Sequence, residues 1–139
     1  PAALGAPVPC VLLRLAVDDG DWRLRHKTTD RGFHDAALRQ AQRAGAAEAV
    51  LLRDDGLITE GSFTNVFVDR DGMLLTPPAQ LGLLPGVLRG SLLGARRARE
   101  TPLTSDDLAG GFLIGNALRG LMPAVLAGPA RPPHEDGPR

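Results

Sequence analysis

The chain contains no tyrosine, one tryptophan, one cysteine and three histidines among 139 residues, and its longest apolar runs are short. A single cysteine, Cys10, cannot close an internal disulfide, so a reducing cytoplasm is the expected compartment. No run approaches the ~20 apolar residues of a membrane span. The N-terminus lacks the charged-then-apolar pattern of a secretory signal. It opens on a loop-like stretch, Pro1 to Pro9, without a methionine, so an upstream segment is expected. Sixteen basic residues balance sixteen acidic ones, which leaves no field for nucleic acid or for a strongly charged partner. No cluster has metal-ligand spacing and no Gly-x-Ser-x-Gly elbow occurs, which disfavours zinc and serine-hydrolase chemistry. The length suits one domain with a real core.

Of the sixteen basic residues, fifteen are arginine and one is lysine, Lys27. The abundance of Ala, Gly, Pro and Arg points to a coding bias toward arginine. A lysine that persists in such a chain is either a surface remnant or a residue doing what arginine cannot. Arginine stays protonated and forms no Schiff base, whereas a lysine whose environment lowers its pKa serves as nucleophile or base.

The pattern along the chain predicts a mixed α/β (α+β) domain. Val8 to Val17 reads as a strand, Asp18-Asp19-Gly20 as a turn, and Trp22 to His26 as a return strand. Asp30 is placed to cap a helix running to about Arg43, with Phe33, Ala36, Ala37 and Ala41 at helical intervals and Gly45 ending it. Short strands follow at Ala49 to Leu52, from Leu57, at Asn65 to Val68 and at Met73 to Thr76. Asp55-Gly56 and Asp71-Gly72 turn between them, and Pro77-Pro78 ends the series. Pro85-Gly86 opens a helix expected over Val87 to Ala98. A short helix starts near Thr104, Phe112 to Ile114 is a buried strand, and Ala117 to Leu126 is a last apolar stretch interrupted by Pro123. The domain is expected over 1–127, with a disordered Pro- and Gly-rich tail over 128–139.

Four segments carry chemistry. His26-Lys27-Thr28-Thr29-Asp30-Arg31 puts the lone lysine at a strand-to-helix junction, where ligands bind at sheet ends. Thr59-Glu60-Gly61-Ser62-Phe63-Thr64-Asn65 puts a carboxylate between two strands. Taken alone, that Glu60 reads as a solvent-facing side chain beside a glycine bulge. Gly82-Leu83-Leu84-Pro85-Gly86-Val87-Leu88-Arg89 is either an ordinary turn or a helix start whose free N–H groups hold a phosphate. Gly115-Asn116-Ala117 ends a strand with a polar side chain.

Together these segments resemble the fold-type IV pyridoxal-phosphate enzymes, which include branched-chain aminotransferases, D-amino-acid aminotransferases and aminodeoxychorismate lyases. The resemblance runs from about Leu15 to Leu126. It implies the large domain of the D-amino-acid aminotransferase-like fold, a mixed sheet or pseudo-barrel with flanking helices. It also implies pyridoxal 5'-phosphate as cofactor, a small-molecule amino substrate and a homodimer. Lys27 matches the lysine that holds the cofactor as a Schiff base and moves the substrate proton. Glu60 matches the carboxylate paired with the pyridine nitrogen, which keeps the ring an electron sink. Leu84 falls in the cofactor-binding turn. Val87 and Leu88 match the positions whose N–H groups bind phosphate, and Asn116 matches a further phosphate contact. Arg31 falls near the place where aminotransferase relatives carry a tyrosine.

His26-Lys27-Thr28-Thr29 and Gly115-Asn116-Ala117-Leu118-Arg119-Gly120-Leu121 look most like the lyases, which implies formation of 4-aminobenzoate and pyruvate, a step of folate biosynthesis. Such lyases are often fused to an aminodeoxychorismate synthase component. Asp30 departs from the basic residue of the fused forms. Nothing before Leu15 resembles the small N-terminal domain of the family, so the resemblance covers the large domain only. Amino transfer and a degenerate, non-catalytic domain are the alternatives. Borohydride reduction of the cofactor-loaded protein, followed by peptide mapping, should place the cofactor on Lys27. Label on the N-terminal amine or any other group would remove the assignment.

Overall fold

The computed structural model describes residues 6–14 and 32–127. In chain order these form β1 (Val8–Arg14), α1 (Gly32–Arg43), β2 (Glu48–Leu52), β3 (Ile58–Gly61), β4 (Asn65–Arg70) and β5 (Met73–Thr76). A 3-10 turn at Ala79–Leu81 leads to α2 (Val87–Gly94), β6 (Ala98–Glu100), α3 (Ser105–Leu108), β7 (Phe112–Asn116) and β8 (Gly120–Leu126). The strands make one mixed sheet in the order β3-β2-β1-β8-β7-β4-β5-β6. β1 runs parallel to both β2 and β8, and β5 to β6, while the other pairs are antiparallel.

That order forces the sheet to curl. β3 ends at Gly61 and β4 begins at Asn65, yet β3 is an edge strand and β4 lies five places along. On a flat sheet five spacings of about 4.8 Å would separate them by about 24 Å. Four peptide units reach only about 14 Å. The far edges therefore approach each other, and the Ile58 N–H donates to Leu103 O at 2.8 Å, tying β3 to the segment after β6. The result is the curled, helix-flanked mixed sheet that the resemblance implied.

Strand alternation divides the core in two. Cys10, Val50, Ile58, Val66, Val68, Leu75, Phe112, Ile114 and Ala124 point into the curl, where Leu103 and Leu108 close the far side. The alternate residues face outward under helices. Ala49 and Leu51 of β2 pack against Ala37 and Ala41 of α1, and Phe67 and Leu74 pack against Leu92 of α2.

Turn chemistry explains most boundaries. Gly45 ends α1 at φ 87. There the Ala46 N–H reaches Ala41 O at 2.9 Å and the Gly45 N–H reaches Gln42 O at 3.0 Å, the paired bonds of a Schellman motif. Asp71 and Gly72 both take positive φ, 57 and 89, as the tight turn between β4 and β5 requires. Thr104 and Asp107 form a capping box on α3.

Three expectations need correction. The helix from Val87 does not run to Ala98: it stops at Gly94, and Ala98–Glu100 is a strand. The stop is a second Schellman motif, with Arg97 N–H to Leu92 O at 2.9 Å and Arg96 N–H to Leu93 O at 3.1 Å. Arg96 occupies its left-handed position at φ 61, so no glycine marks the end. Ala36 is exposed rather than on the packed face of α1, which is lined by His34, Ala37 and Ala41. The second strand begins one residue early, at a buried Glu48. The expected strand end at Leu15 to Val17, the return strand Trp22 to His26, the Asp30 cap and the tail over 128–139 lie outside the described residues.

A non-glycine residue in the left-handed region costs about 1–2 kcal/mol, less the chain entropy that glycine loses on folding. Arg96→Gly should therefore stabilise the protein by about 0.5–1 kcal/mol in urea unfolding. No gain would mean that Arg96 bears no strain.

Candidate functional site

The site is built around two buried carboxylates. Glu48 opens β2 on the inner face and is fully buried. Its Oε1 accepts from the Ala49 N–H at 2.7 Å, the Ser62 N–H at 3.0 Å and the Ser62 hydroxyl. Its Oε2 accepts from the Phe63 N–H at 3.2 Å and the Thr64 hydroxyl at 2.7 Å. These bonds mould the connection between β3 and β4 onto the end of β2. Gly61 must lack a side chain there, since a Cβ would stand 2.5 Å from Glu48 Oε2 and closer still to the Thr64 hydroxyl. Cys10, paired with Glu48 across β1 and β2, is an inert thiol. Burial, and secondarily the Glu48 charge, pushes its pKa up to about 12.

Glu60 is the second carboxylate, 3% exposed on β3. The solvent-facing reading is thus overturned, because the curl folds α1 and the segment before α2 over this strand. Glu60 Oε2 lies 3.1 Å from His34 Nε2, and Oε1 accepts the Leu84 N–H at 3.1 Å.

The segment before α2 is pinned from both directions, since Leu84 O also accepts from Asn65 Nδ2 at 3.0 Å. Helix α2 starts after an extended Gly86 whose place allows no Cβ, which would meet Asn65 Oδ1 at 2.6 Å. No side chain caps this start, so the first N–H groups of the helix remain available to an anion. Arg89, 3% exposed, anchors the helix by donating to Pro77 O at 2.9 Å and to Glu100 at 2.5 Å. The Ala79 N–H and then Arg89 hold the Glu100 carboxyl below the usual range. Across the opening, Asn116 donates to Phe63 O at 3.0 Å and accepts the Arg119 N–H at 2.8 Å.

An open cavity of about 170 Å³ lies between these groups. Of the residues singled out in the sequence, Glu60, Leu84 and Asn116 line it. Val87 and Leu88 follow directly on Gly86, which also lines it. The Val87 side chain is exposed, while Leu88 packs against the cluster of Phe67, Leu74, Leu92 and Ala98 and approaches Gly115. Lys27 and Arg31 lie outside the described residues. Sequence reasoning missed His34 and Glu48 as parts of the site. His34 had a signal, since it shares an i, i+3, i+7 stripe with Ala37 and Ala41. Glu48 had a weaker one, its register with inward-facing Val50. Among the described residues, no three His, Cys, Asp or Glu side chains are grouped to hold a metal ion. The arrangement offers an acceptor for a cationic N–H at one wall and a helix start for an anion at another.

The family model for amino-transferase class IV matches residues 1–126. A "putative amino-acid aminotransferase" of Mesorhizobium loti is 42% identical, with a TM-score of 0.81 over 91% of this chain and 63% of its own. The D-alanine aminotransferase of Bacillus licheniformis is 32% identical over 68% of this chain and 35% of its own length. A "putative aminodeoxychorismate lyase" of Schizosaccharomyces pombe is 32% identical over 73% of this chain and 47% of its own. The chain thus spans less than half the length of these two curated relatives.

Removing the Glu48 carboxylate would strand several buried donors, each costing about 1–3 kcal/mol. Glu48→Ala should lower stability by at least about 3 kcal/mol in urea unfolding, and Glu48→Gln, which keeps one acceptor oxygen, by clearly less. Equal, small losses from both would show that the cage is dispensable.

Proposed function

The chain belongs to the class IV aminotransferase family, and on that premise we propose that it is the cofactor-binding part of a pyridoxal-phosphate lyase. In this reading the enzyme converts 4-amino-4-deoxychorismate to 4-aminobenzoate and pyruvate. The observation that carries the cofactor is Glu60, a buried, hydrogen-bonded carboxylate on a cavity that ends at an uncapped helix start. The donor set fits pyridoxal phosphate at both ends. A carboxylate suits the protonated ring nitrogen, and the α2 start beside a glycine with no room for a Cβ suits the phosphate.

When bound, the cofactor supplies an electron sink for the carbon next to the substrate nitrogen. Glu60 holds the ring N–H. The backbone N–H groups of Val87 and Leu88 hold the phosphate, with Asn116 beside them and Leu84 fixing Glu60 from behind. Lys27 Nζ holds the cofactor and then takes the proton from the substrate carbon. This chain has no tyrosine, so the part that a phenol plays near the ring oxygen in aminotransferase relatives would pass to Arg31 or be lost. A further domain supplies the other wall of the substrate pocket, and the protein works as a cytoplasmic homodimer.

Elimination is supported over amino transfer by the His26-Lys27-Thr28-Thr29 segment, by Asn116 followed by Ala117-Leu118-Arg119-Gly120, and by the absence of tyrosine. The similarity to the fission-yeast protein covers 73% of the chain. Amino transfer is the second reading, favoured by the 42% identity to the Mesorhizobium protein.

Two assays on the cofactor-loaded protein separate them. Aminodeoxychorismate should yield 4-aminobenzoate and pyruvate in equal amounts. Branched-chain or D-amino acids with 2-oxoglutarate should give little glutamate. Rapid glutamate formation without 4-aminobenzoate would reverse the assignment.

A further inference from the structure

We propose that His34 is a positioning residue for Glu60, holding the carboxylate turned toward the cavity for the ring N–H of bound pyridoxal phosphate. The inference rests on the proposed cofactor and concerns how its carboxylate is held. Glu60 is gripped from two sides by elements distant in sequence. Leu84, 24 residues later, donates to Oε1 at 3.1 Å, and His34, 26 residues earlier, meets Oε2 at 3.1 Å. Two contacts on opposite oxygens fix the rotation of a carboxylate, which a single contact leaves free. His34 is itself 1% exposed and lines the same cavity, so solvent cannot take over its place.

The chemistry of the pair is directional. An ionised carboxylate oxygen only accepts, so Nε2 of His34 carries the hydrogen. An imidazole can make this bond without adding a charge. A neutral donor at position 34 therefore orients Glu60 without setting a second full positive charge against it, as an arginine or lysine there would.

The geometry of α1 serves the contact. Its packed face continues from His34 through Ala37 and Ala41, and these small residues let the helix lie close on Ala49 and Leu51 of β2. Close packing brings the first turn of the helix, with His34, onto β3. Losing the His34 hydrogen bond would remove one of the contacts that fix the rotation of Glu60. The ring N–H would then face a less firmly aimed acceptor, and less of the hydrogen would stay on the nitrogen.

The test reads that nitrogen directly. Protein loaded with pyridoxal phosphate carrying ¹⁵N in the ring should show a protonated ring nitrogen, and Glu60→Gln should move the signal to the unprotonated position. His34→Phe should move it part of the way in the same direction and raise the cofactor Kd by about tenfold, the loss expected for one hydrogen bond to a charged group. His34→Gln, whose amide can donate one hydrogen, should restore much of both. A merely structural role would change the melting temperature and leave the signal at saturating cofactor where it was. That outcome, with Glu60→Gln still shifting it, would overturn the proposal.

A second measurement needs no variant. In wild-type protein labelled with ¹⁵N-histidine, Nε2 of His34 should be protonated and should shift when pyridoxal phosphate is added. An unprotonated Nε2 would overturn the proposal. If the wild-type protein takes up no pyridoxal phosphate, the functional reading falls and this inference with it. Uptake with an unmoved ring nitrogen in His34→Phe removes the inference alone.

Discussion

Glu48 has no exposed surface, yet it lies at the end of a strand beside a connection only three residues long. An ionised carboxylate taken out of water is tolerable only if its lone pairs are filled. Here they are filled by the Ala49, Ser62 and Phe63 N–H groups and the Ser62 and Thr64 hydroxyls. The constraint works in both directions. The charge needs the donors, and the donors, which belong to a tight bend with few other acceptors, need the charge. The bend between β3 and β4 is thereby held in one conformation. It presents Phe63 O to Asn116, so the β7–β8 turn is registered against it too. One wall of the cavity depends on a residue that does not line it.

The curl of the sheet does the rest. Residues of α1, β3, the segment before α2 and the end of β7 meet at one end of the half-barrel. They meet because the order of strands and the short β3–β4 connection leave no flat solution. The residues of the site therefore sit on a strand or helix or within three residues of one, and several are held through backbone groups. Leu84 illustrates this: its N–H serves Glu60 and its carbonyl serves Asn65. The approach to the α2 start is fixed by the same residue that turns the carboxylate.

How much of this was legible in the sequence depends on where the information lies. Turns written in glycine and aspartate, such as Gly45, Asp55-Gly56 and Asp71-Gly72, announced their element boundaries, because only a few residues tolerate a left-handed backbone. The end of α2 was illegible for the same reason, since an arginine stands at the left-handed position and β6 is three residues long. Local pattern could not place Glu60 either. A glutamate in a short strand beside a glycine looks solvated until the curl brings two other elements over it. The family resemblance grouped Glu60, Leu84 and Asn116, and all three line one cavity. It was silent on His34, because a histidine on an alanine-lined helix face declares burial and not its partner.

The two carboxylates show how environment divides labour between chemically identical groups. Both are buried, both belong to neighbouring strands of one sheet, and both are hydrogen-bonded by backbone N–H groups. Glu48 faces the bend, takes donors on every side and lies off the cavity, so it has nothing left for a ligand. Glu60 lies on the cavity wall, and the contacts that orient it include one from α1 and one from the segment before α2. The first makes the second possible. If Glu48 did not hold Gly61 to Thr64 against β2, the end of β3 would be free to splay, and Glu60 would turn to water, where an opposing charge counts for little. Backbone N–H groups, hydroxyls and an imidazole are donors that can satisfy a buried carboxylate without bringing a full opposing charge of their own.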